Sequence, residues 1–271
     1  MELQAILFDL DETLILEEAS VEEAFLATCQ IAEERYGVSP KALTQAVRKH
    51  AKQLWSSYPT YEECMALGIS SWEGLHTRFE GGSPLLKALR SIAPSYRLEA
   101  WTRALAEHGV RDRALAQELA EAFIRERSAR YTPFPDAKPL LQELKERYSL
   151  ALVTNGPPDL QREKLQATGL SAFFELVVIS GELGVGKPDP RIFEHTLKEL
   201  KVPAHEAVMI GNSLERDVAG GKRAGLKAIW VRRSSLEDEY LKGAHSAVTP
   251  DATIAELREL PKILAEFCDK A

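Results

Sequence analysis

The chain has 271 residues, 45% of them hydrophobic and 28% charged, with a net charge of -7. This is ordinary globular composition, long enough for one large domain or for a core with a smaller domain. The acidic balance leaves no basic excess to neutralise a phosphate backbone, which argues against a nucleic-acid partner, and no apolar run approaches the roughly 20 residues of a membrane span.

Residues 4–10 (Gln-Ala-Ile-Leu-Phe-Asp-Leu) form an apolar run ending on acid, as a buried parallel strand does. From about residue 20 to 131 the pattern is helical, without a convincing strand. Val21, Phe25, Cys29 and Ala32 recur at three and four, as do Leu43, Val47, Ala51 and Trp55, and then Leu115, Leu119 and Phe123. Breaks are expected at Gly37 to Pro40, Ser57 to Pro59, Gly68 to Ser70 and Gly81 to Pro84. Trp55, Trp72 and Trp101 lie in this stretch and read as core. His50, His76 and His108 read as structural or solvated.

After Pro133-Phe134-Pro135, helix and strand alternate. Helices are expected over 140–148, 160–168, 191–200 and 217–224, and strands over 150–153, 176–179, 207–210 and 227–231. The alternation predicts an α/β fold, a parallel sheet covered by helices on both faces. Right-handed crossovers then bring the strand C-termini to one edge, where ligands bind. Residues 1–16 and 132–271 form this core, and 17–131 an all-α cap inserted after the first strand. Hinges are expected near Leu14 to Glu18 and Tyr131 to Pro135, so that the cap opens for substrate and closes against water.

The three cysteines, Cys29, Cys64 and Cys268, are far apart and lack Cys-x-x-Cys spacing. They indicate neither a disulfide framework nor a zinc site, and each reads as a small apolar residue. Met1 to Ala5 lack the basic stretch of a signal peptide. A soluble cytoplasmic protein, monomer or homodimer, is expected. Basic doublets such as Lys222-Arg223 and Arg232-Arg233 read as solvated faces.

Four strands end in polar residues. The first ends Asp9-Leu10-Asp11-Glu12-Thr13. Two carboxylates two residues apart can both reach one pocket as the chain turns. One can attack phosphorus to give an aspartyl phosphate, while the other protonates the leaving oxygen and later deprotonates water. The next strand ends Thr154-Asn155-Gly156, where a hydroxyl, a main-chain N–H and a permissive glycine suit a phosphoryl oxygen, although a plain strand-to-helix turn has the same look. The third is followed by Gly186-Lys187-Pro188-Asp189-Pro190, whose lysine can neutralise charge on nucleophile and phosphate. Gly181 to Lys187 also fits a P-loop frame, but Pro188 stands where Ser or Thr should hold magnesium, so that reading is rejected. The fourth ends Gly211-Asn212-Ser213-Leu214-Glu215-Arg216-Asp217. Oxygen donors from here and from Asp9 suit magnesium, and Asp217 also suits a helix N-terminus.

These four segments, in this order and spacing, resemble the four motifs of the haloacid dehalogenase superfamily, over about residues 4–16 and 132–257. Thr154-Asn155-Gly156, Gln161, Lys164-Leu165, Ser180-Gly181-Glu182 and Gly186-Lys187-Pro188 are similar to a phosphatase subgroup that includes pyrimidine 5′-nucleotidases and N-acylneuraminate-9-phosphatases. The resemblance implies a Rossmann-like, doubly wound core and a helical cap, though this insert is longer than the resemblance leads one to expect. It implies Asp9 as nucleophile, Asp11 as general acid and base, and Lys187 beside them. It implies phosphoryl binding by Thr13, Thr154, Asn155, Gly156 and Lys187. Mg2+ would be held by Asp9, the Asp11 main-chain carbonyl, Asn212 and Asp217.

The implied reaction is hydrolysis of a small phosphorylated metabolite, a nucleoside monophosphate or sugar phosphate. The alternatives are a phosphomutase, a 2-haloacid dehalogenase, and a binding protein on the same fold with weakened catalysis. The fourth motif usually begins Gly-Asp, and Gly211-Asn212 departs from it by one negative charge. Asn here is also found in the true dehalogenases, which lack an acid two residues after the nucleophile because no leaving oxygen needs a proton. Asp11 therefore speaks for phosphoryl chemistry.

Overall fold

The computed structural model describes residues 3–233 and 248–269; Met1, Glu2 and the side chain of Cys268 lie outside the described part. After strand β1 (Ala5–Phe8) come helices α1 (Glu17–Tyr36), α2 (Pro40–Trp55), α3 (Tyr61–Leu67), α4 (Ser71–Gly74), α5 (Pro84–Glu107) and α6 (Arg113–Ser128). The chain continues through α7 (Ala137–Leu144), β2 (Ser149–Thr154), α8 (Pro158–Thr168), β3 (Leu176–Ile179), α9 (Ser180–Leu183) and α10 (Pro190–Leu200). Then follow β4 (Ala207–Gly211), α11 (Gly220–Arg223), β5 (Lys227–Val231), β6 (Ala252–Ile254) and α12 (Leu260–Asp269). The chain forms two compact units. One comprises residues 1–16, 133–155 and 165–271, the other residues 17–132 and 156–164.

The first unit holds a six-stranded sheet in the order β3-β2-β1-β4-β5-β6, all strand pairs parallel. Phe8 lies opposite Leu152 of β2 and Ile210 of β4. β1 is buried along its whole length, which explains its unbroken apolar run. Ile6 and Phe8 face Leu140, Leu141 and Leu144 of α7 and Leu260 and Leu264 of α12. Ala5 and Leu7 face Ile192, Phe193 and Leu197 of α10. Successive strands add to opposite sides of β1, so its C-terminal end and that of β4 border the crevice where such sheets bind ligands.

Three local readings change. The helix expected over 140–148 spans Ala137–Leu144. The helix expected over 217–224 begins as a π-helical turn, Leu214–Ala219, before the short α11. Both the Asp217 and the Val218 N–H donate to the Ser213 carbonyl there, widening the turn that carries Asp217. The sheet also gains β6, whose three residues are too few to show a period.

The second unit is helical, and its core holds Phe25, Cys29, Val47, Trp55, Trp101, Leu119 and Phe123. Phe25 stacks on Phe123 with ring centroids 4.2 Å apart. The breaks carry helix-ending chemistry. Gly68 closes α3 at φ 70, Ser70 and Glu73 form a capping box on α4, and the Ser83 hydroxyl accepts from the Leu86 N–H ahead of Pro84. Trp55 and Trp101 are core as expected, whereas Trp72 is only half-buried.

Candidate active site

Asp9 follows β1, and its N–H still donates to the Ile210 carbonyl of β4 at 2.9 Å, so the sheet positions its backbone. Beyond it the chain turns tightly. The Leu14 N–H donates to the Leu10 carbonyl at 2.9 Å, and Glu12 takes the left-handed φ of 58°, uncommon for a residue with a Cβ. This turn returns the Thr13 hydroxyl to Asp9, where it donates to Oδ2 at 3.1 Å. The same hydroxyl accepts from the Asn212 N–H at 3.1 Å. Thr13 is fully buried. The resemblance counts it among phosphoryl-binding residues, but its one hydroxyl proton is given to Asp9.

Lys187 reaches this centre from the loop after α9. Its Nζ donates to Asp9 Oδ1 at 2.6 Å and to Asp217 Oδ1 at 2.7 Å. Asn155 holds the lysine's main chain on both sides: its Nδ2 donates to the Lys187 carbonyl at 2.9 Å, and its Oδ1 accepts the Lys187 N–H at 2.8 Å. Thr154, at the end of β2, is buried, and Gly156 follows with φ 132°, which a residue with a Cβ rarely adopts.

Asp217 uses both carboxylate oxygens within the protein, since Oδ2 accepts the Ser213 N–H at 2.9 Å. A Cβ on Gly211 would collide with that carboxylate, so β4 must end on glycine for Asp217 to sit there. The neighbouring Asn212 is half-exposed, with its main-chain carbonyl accepting from Trp230 Nε1 at 2.7 Å. Asp11 is likewise half-exposed.

Burial pushes the Asp9 carboxyl up to about 7, with Lys187 working against the rise and Asp217 and Asp11 adding to it. For Lys187, burial acts to lower its pKa, but the charges of Asp217 and Asp9 outweigh burial, and the ammonium titrates above its ordinary value. Asp9 and Asp217 therefore share one cation and leave one carboxylate charge unbalanced. Among the described residues no group of three or more His, Cys, Asp or Glu is placed to hold a metal ion. The donors the resemblance implies are the Asp9 carboxylate, the Asn212 amide and the Asp11 carbonyl, Asp217 having both oxygens engaged within the protein. An oxygen-only set with surplus negative charge fits a hard divalent cation.

One part of the centre escapes the sequence reading. Arg233, expected on a solvated face, has a side chain only 12% exposed. Its Nη2 donates to the Thr13 carbonyl at 3.2 Å and to Asp136 Oδ1 at 2.9 Å, and its guanidinium lies 3.7 Å from the Phe134 ring centroid. Asp136 Oδ2 accepts the Leu257 N–H at 2.8 Å. Three distant segments thus anchor the turn that carries Thr13, and no local spacing announces such a contact.

A model of the haloacid dehalogenase-like hydrolases matches residues 3–225. The chain belongs to this family. Within it the chain stands with the phosphatases. It is 39% identical to a phosphoserine phosphatase of Thermus thermophilus over 95% of this chain and 98% of that one. It is 28% identical to the human N-acylneuraminate-9-phosphatase over 96% and 93%. The hydrolase YfnB of Bacillus subtilis, solved bound to magnesium, shares the fold with a TM-score of 0.64 at 21% identity, over 98% of this chain and 100% of that one. The expected hydrolase family and the parallel, doubly wound core are thus borne out.

Proposed function

We propose that this hydrolase releases phosphate from small phosphomonoesters through an aspartyl phosphate on Asp9. The observation that carries this reading is the pinning of the Asp9 carboxylate, with one oxygen on Lys187 Nζ at 2.6 Å and the other on the Thr13 hydroxyl at 3.1 Å. A nucleophile held this way meets phosphorus with little orientational freedom left to lose.

In the first step an Asp9 oxygen bonds to phosphorus as the ester P–O bond breaks, and Asp11 gives its proton to the departing oxygen. In the second, Asp11 takes a proton from water, whose oxygen attacks phosphorus and frees the Asp9 carboxylate and inorganic phosphate. Lys187, the Thr154 hydroxyl and the Asn155 main-chain N–H hold the phosphoryl oxygens, whereas the Gly156 N–H, which the resemblance implies among them, is given to the Leu67 carbonyl at 3.1 Å. Magnesium would be held by Asp9, the Asp11 carbonyl and Asn212, with Asp217 adding negative charge and positioning Lys187; when bound it neutralises phosphoryl charge. In this reading the sheet unit is the catalytic core, and the helical unit is the inserted cap.

The relatives named above act on phosphoserine and on an N-acylneuraminate 9-phosphate. Small phosphorylated metabolites of that kind are the proposed substrates. Asp11 counts against the dehalogenase alternative. Cys29 and Cys64 are free thiols, each pushed up to about 12 by burial. Among the described residues no helix is long and apolar enough to cross a membrane.

The test is phosphate release from a panel of monoesters, with magnesium and with chelator, in wild type and Asp9→Asn. Magnesium-dependent release falling by at least about 10³-fold in the variant is expected. Undiminished release would remove Asp9 as nucleophile, and turnover without free phosphate would turn the reading to a phosphomutase.

A further inference from the structure

Hydrogen bonds and main chain close a ring around the proposed nucleophile. Lys187 Nζ bridges Asp9 Oδ1 and Asp217 Oδ1, and Asp217 Oδ2 accepts the Ser213 N–H. The Asn212 N–H donates to the Thr13 hydroxyl, which donates to Asp9 Oδ2 and completes the circuit. Two side chains, one in β5 and one just beyond its end, hold this ring from outside. The chemistry above uses neither.

Trp230 stands beside Gly211 in the sheet, and its Nε1 donates to the Asn212 carbonyl at 2.7 Å, a well-formed N–H···O bond. Three residues on, Arg233 Nη2 donates to the Thr13 carbonyl at 3.2 Å and to Asp136 Oδ1 at 2.9 Å. Asp136 is itself held by the Leu257 N–H at 2.8 Å, so the guanidinium reaches Thr13 from a braced position.

These contacts fix the main chain on both sides of two residues. The peptide before Asn212 gives its N–H to Thr13. The peptide after it is held at both ends, its carbonyl by Trp230 and its N–H by Asp217. Likewise the Thr13 N–H donates to the Leu10 carbonyl at 3.3 Å, and the Thr13 carbonyl accepts from Arg233. Because each peptide is a rigid plane, φ and ψ of Asn212 and Thr13 are left little freedom. An amide ligand needs this more than a carboxylate does. A carboxylate offers a metal either oxygen and a full charge, whereas an amide has one oxygen and, turned over, presents its NH2 group.

We infer that Trp230 and Arg233 are positioning residues for the reaction, Trp230 fixing the main chain that presents Asn212 to magnesium and Arg233 fixing the turn that presents the Thr13 hydroxyl to Asp9. This inference rests on the phosphatase reading. Each residue acts through a main-chain carbonyl.

The two are tested by different readouts. Trp230→Phe keeps an aromatic ring and loses the N–H. Magnesium binding measured by calorimetry, without substrate, should weaken about five- to tenfold, the worth of one hydrogen bond, and excess magnesium should recover most of the lost turnover. In an Asn212→Asp background the same change should weaken binding less than about twofold, because a charged ligand depends less on its placement. Arg233→Met should lower kcat about tenfold at saturating magnesium with little change in KM, and should lower it no further in a Thr13→Val background, where no hydroxyl is left to present. If Arg233→Met does not fold, Arg233→Lys, which keeps a cation beside Asp136 but loses the fork, should show the same pattern. Unchanged magnesium binding in Trp230→Phe, or an equal loss in both backgrounds at position 212, overturns the inference. A kcat loss on changing Arg233 that is as large without the Thr13 hydroxyl makes Arg233 merely structural and overturns it as well. Either result leaves the phosphatase standing. No release by the wild type from any ester, p-nitrophenyl phosphate included, removes the phosphatase reading and the inference with it.

Discussion

The two buried ion clusters are electrostatic opposites. In the sheet unit one lysine serves two carboxylates, Asp9 and Asp217. In the helical unit one carboxylate, Glu17, serves two cations, Arg127 and Lys164. The supports differ too. Each oxygen of Asp9 and Asp217 has a partner at the strand ends, whereas the helical cluster leaves N–H groups of Arg127 unmatched. Surplus negative charge among fixed oxygens favours a metal cation. A balanced buried triad of either kind would speak only of stability.

The sharpest way to break this contrast is to remove the shared ion from each cluster. Lys187→Met and Glu17→Gln should each cost about 3–5 kcal/mol in thermal or denaturant unfolding under chelator, since each leaves buried charge unpaired. Magnesium should then restore much of the loss in Lys187→Met and none in Glu17→Gln. Equal rescue of both would show that the clusters do not differ in the ion they attract.

The pH dependence sharpens the sheet half. In the metal-free protein burial raises Asp9 from 3.8 to about 7, so between those values the folded chain binds a proton that the unfolded chain releases. This group's contribution to stability is therefore fully present below the lower value and lost as pH rises through the upper one. On the proposed reading magnesium competes for the same carboxylate. Below pH 7 the magnesium concentration for half-maximal turnover should rise by about tenfold per unit, and a requirement that stays flat from pH 5 to 7 would count against Asp9 as a ligand. The smallest expected effect is that of Asn212→Asp, which adds one negative ligand and should lower that magnesium concentration several-fold, by about 1 kcal/mol.

Much of the sheet unit was legible because its signals are local. An unbroken apolar run ending in Asp9-Leu10-Asp11 marks a doubly buried strand with its acids at the edge, and the helical stretch announces itself through sets such as Val21, Phe25, Cys29 and Ala32 at three- and four-residue intervals. What escaped depends on distance along the chain. Arg233 and Asp136 meet across 97 positions, and Glu17 and Arg127 across 110, with no period or motif linking them. The clamp of Asn155 on Lys187 falls between. Both residues stood out at strand ends, yet that one orients the other follows only from the paired hydrogen bonds at 2.9 and 2.8 Å.

The two-point grip on Asp9 has a stereochemical consequence. With Oδ1 on Lys187 and Oδ2 on Thr13, the carboxylate cannot swing to present phosphorus from another side. On the proposed reading the leaving group departs opposite Asp9, and water must later arrive along the line the leaving group vacated. Each displacement inverts phosphorus and the pair restores it, so an isotopically chiral phosphate carried to an added alcohol should keep its handedness, where direct attack by the acceptor would reverse it.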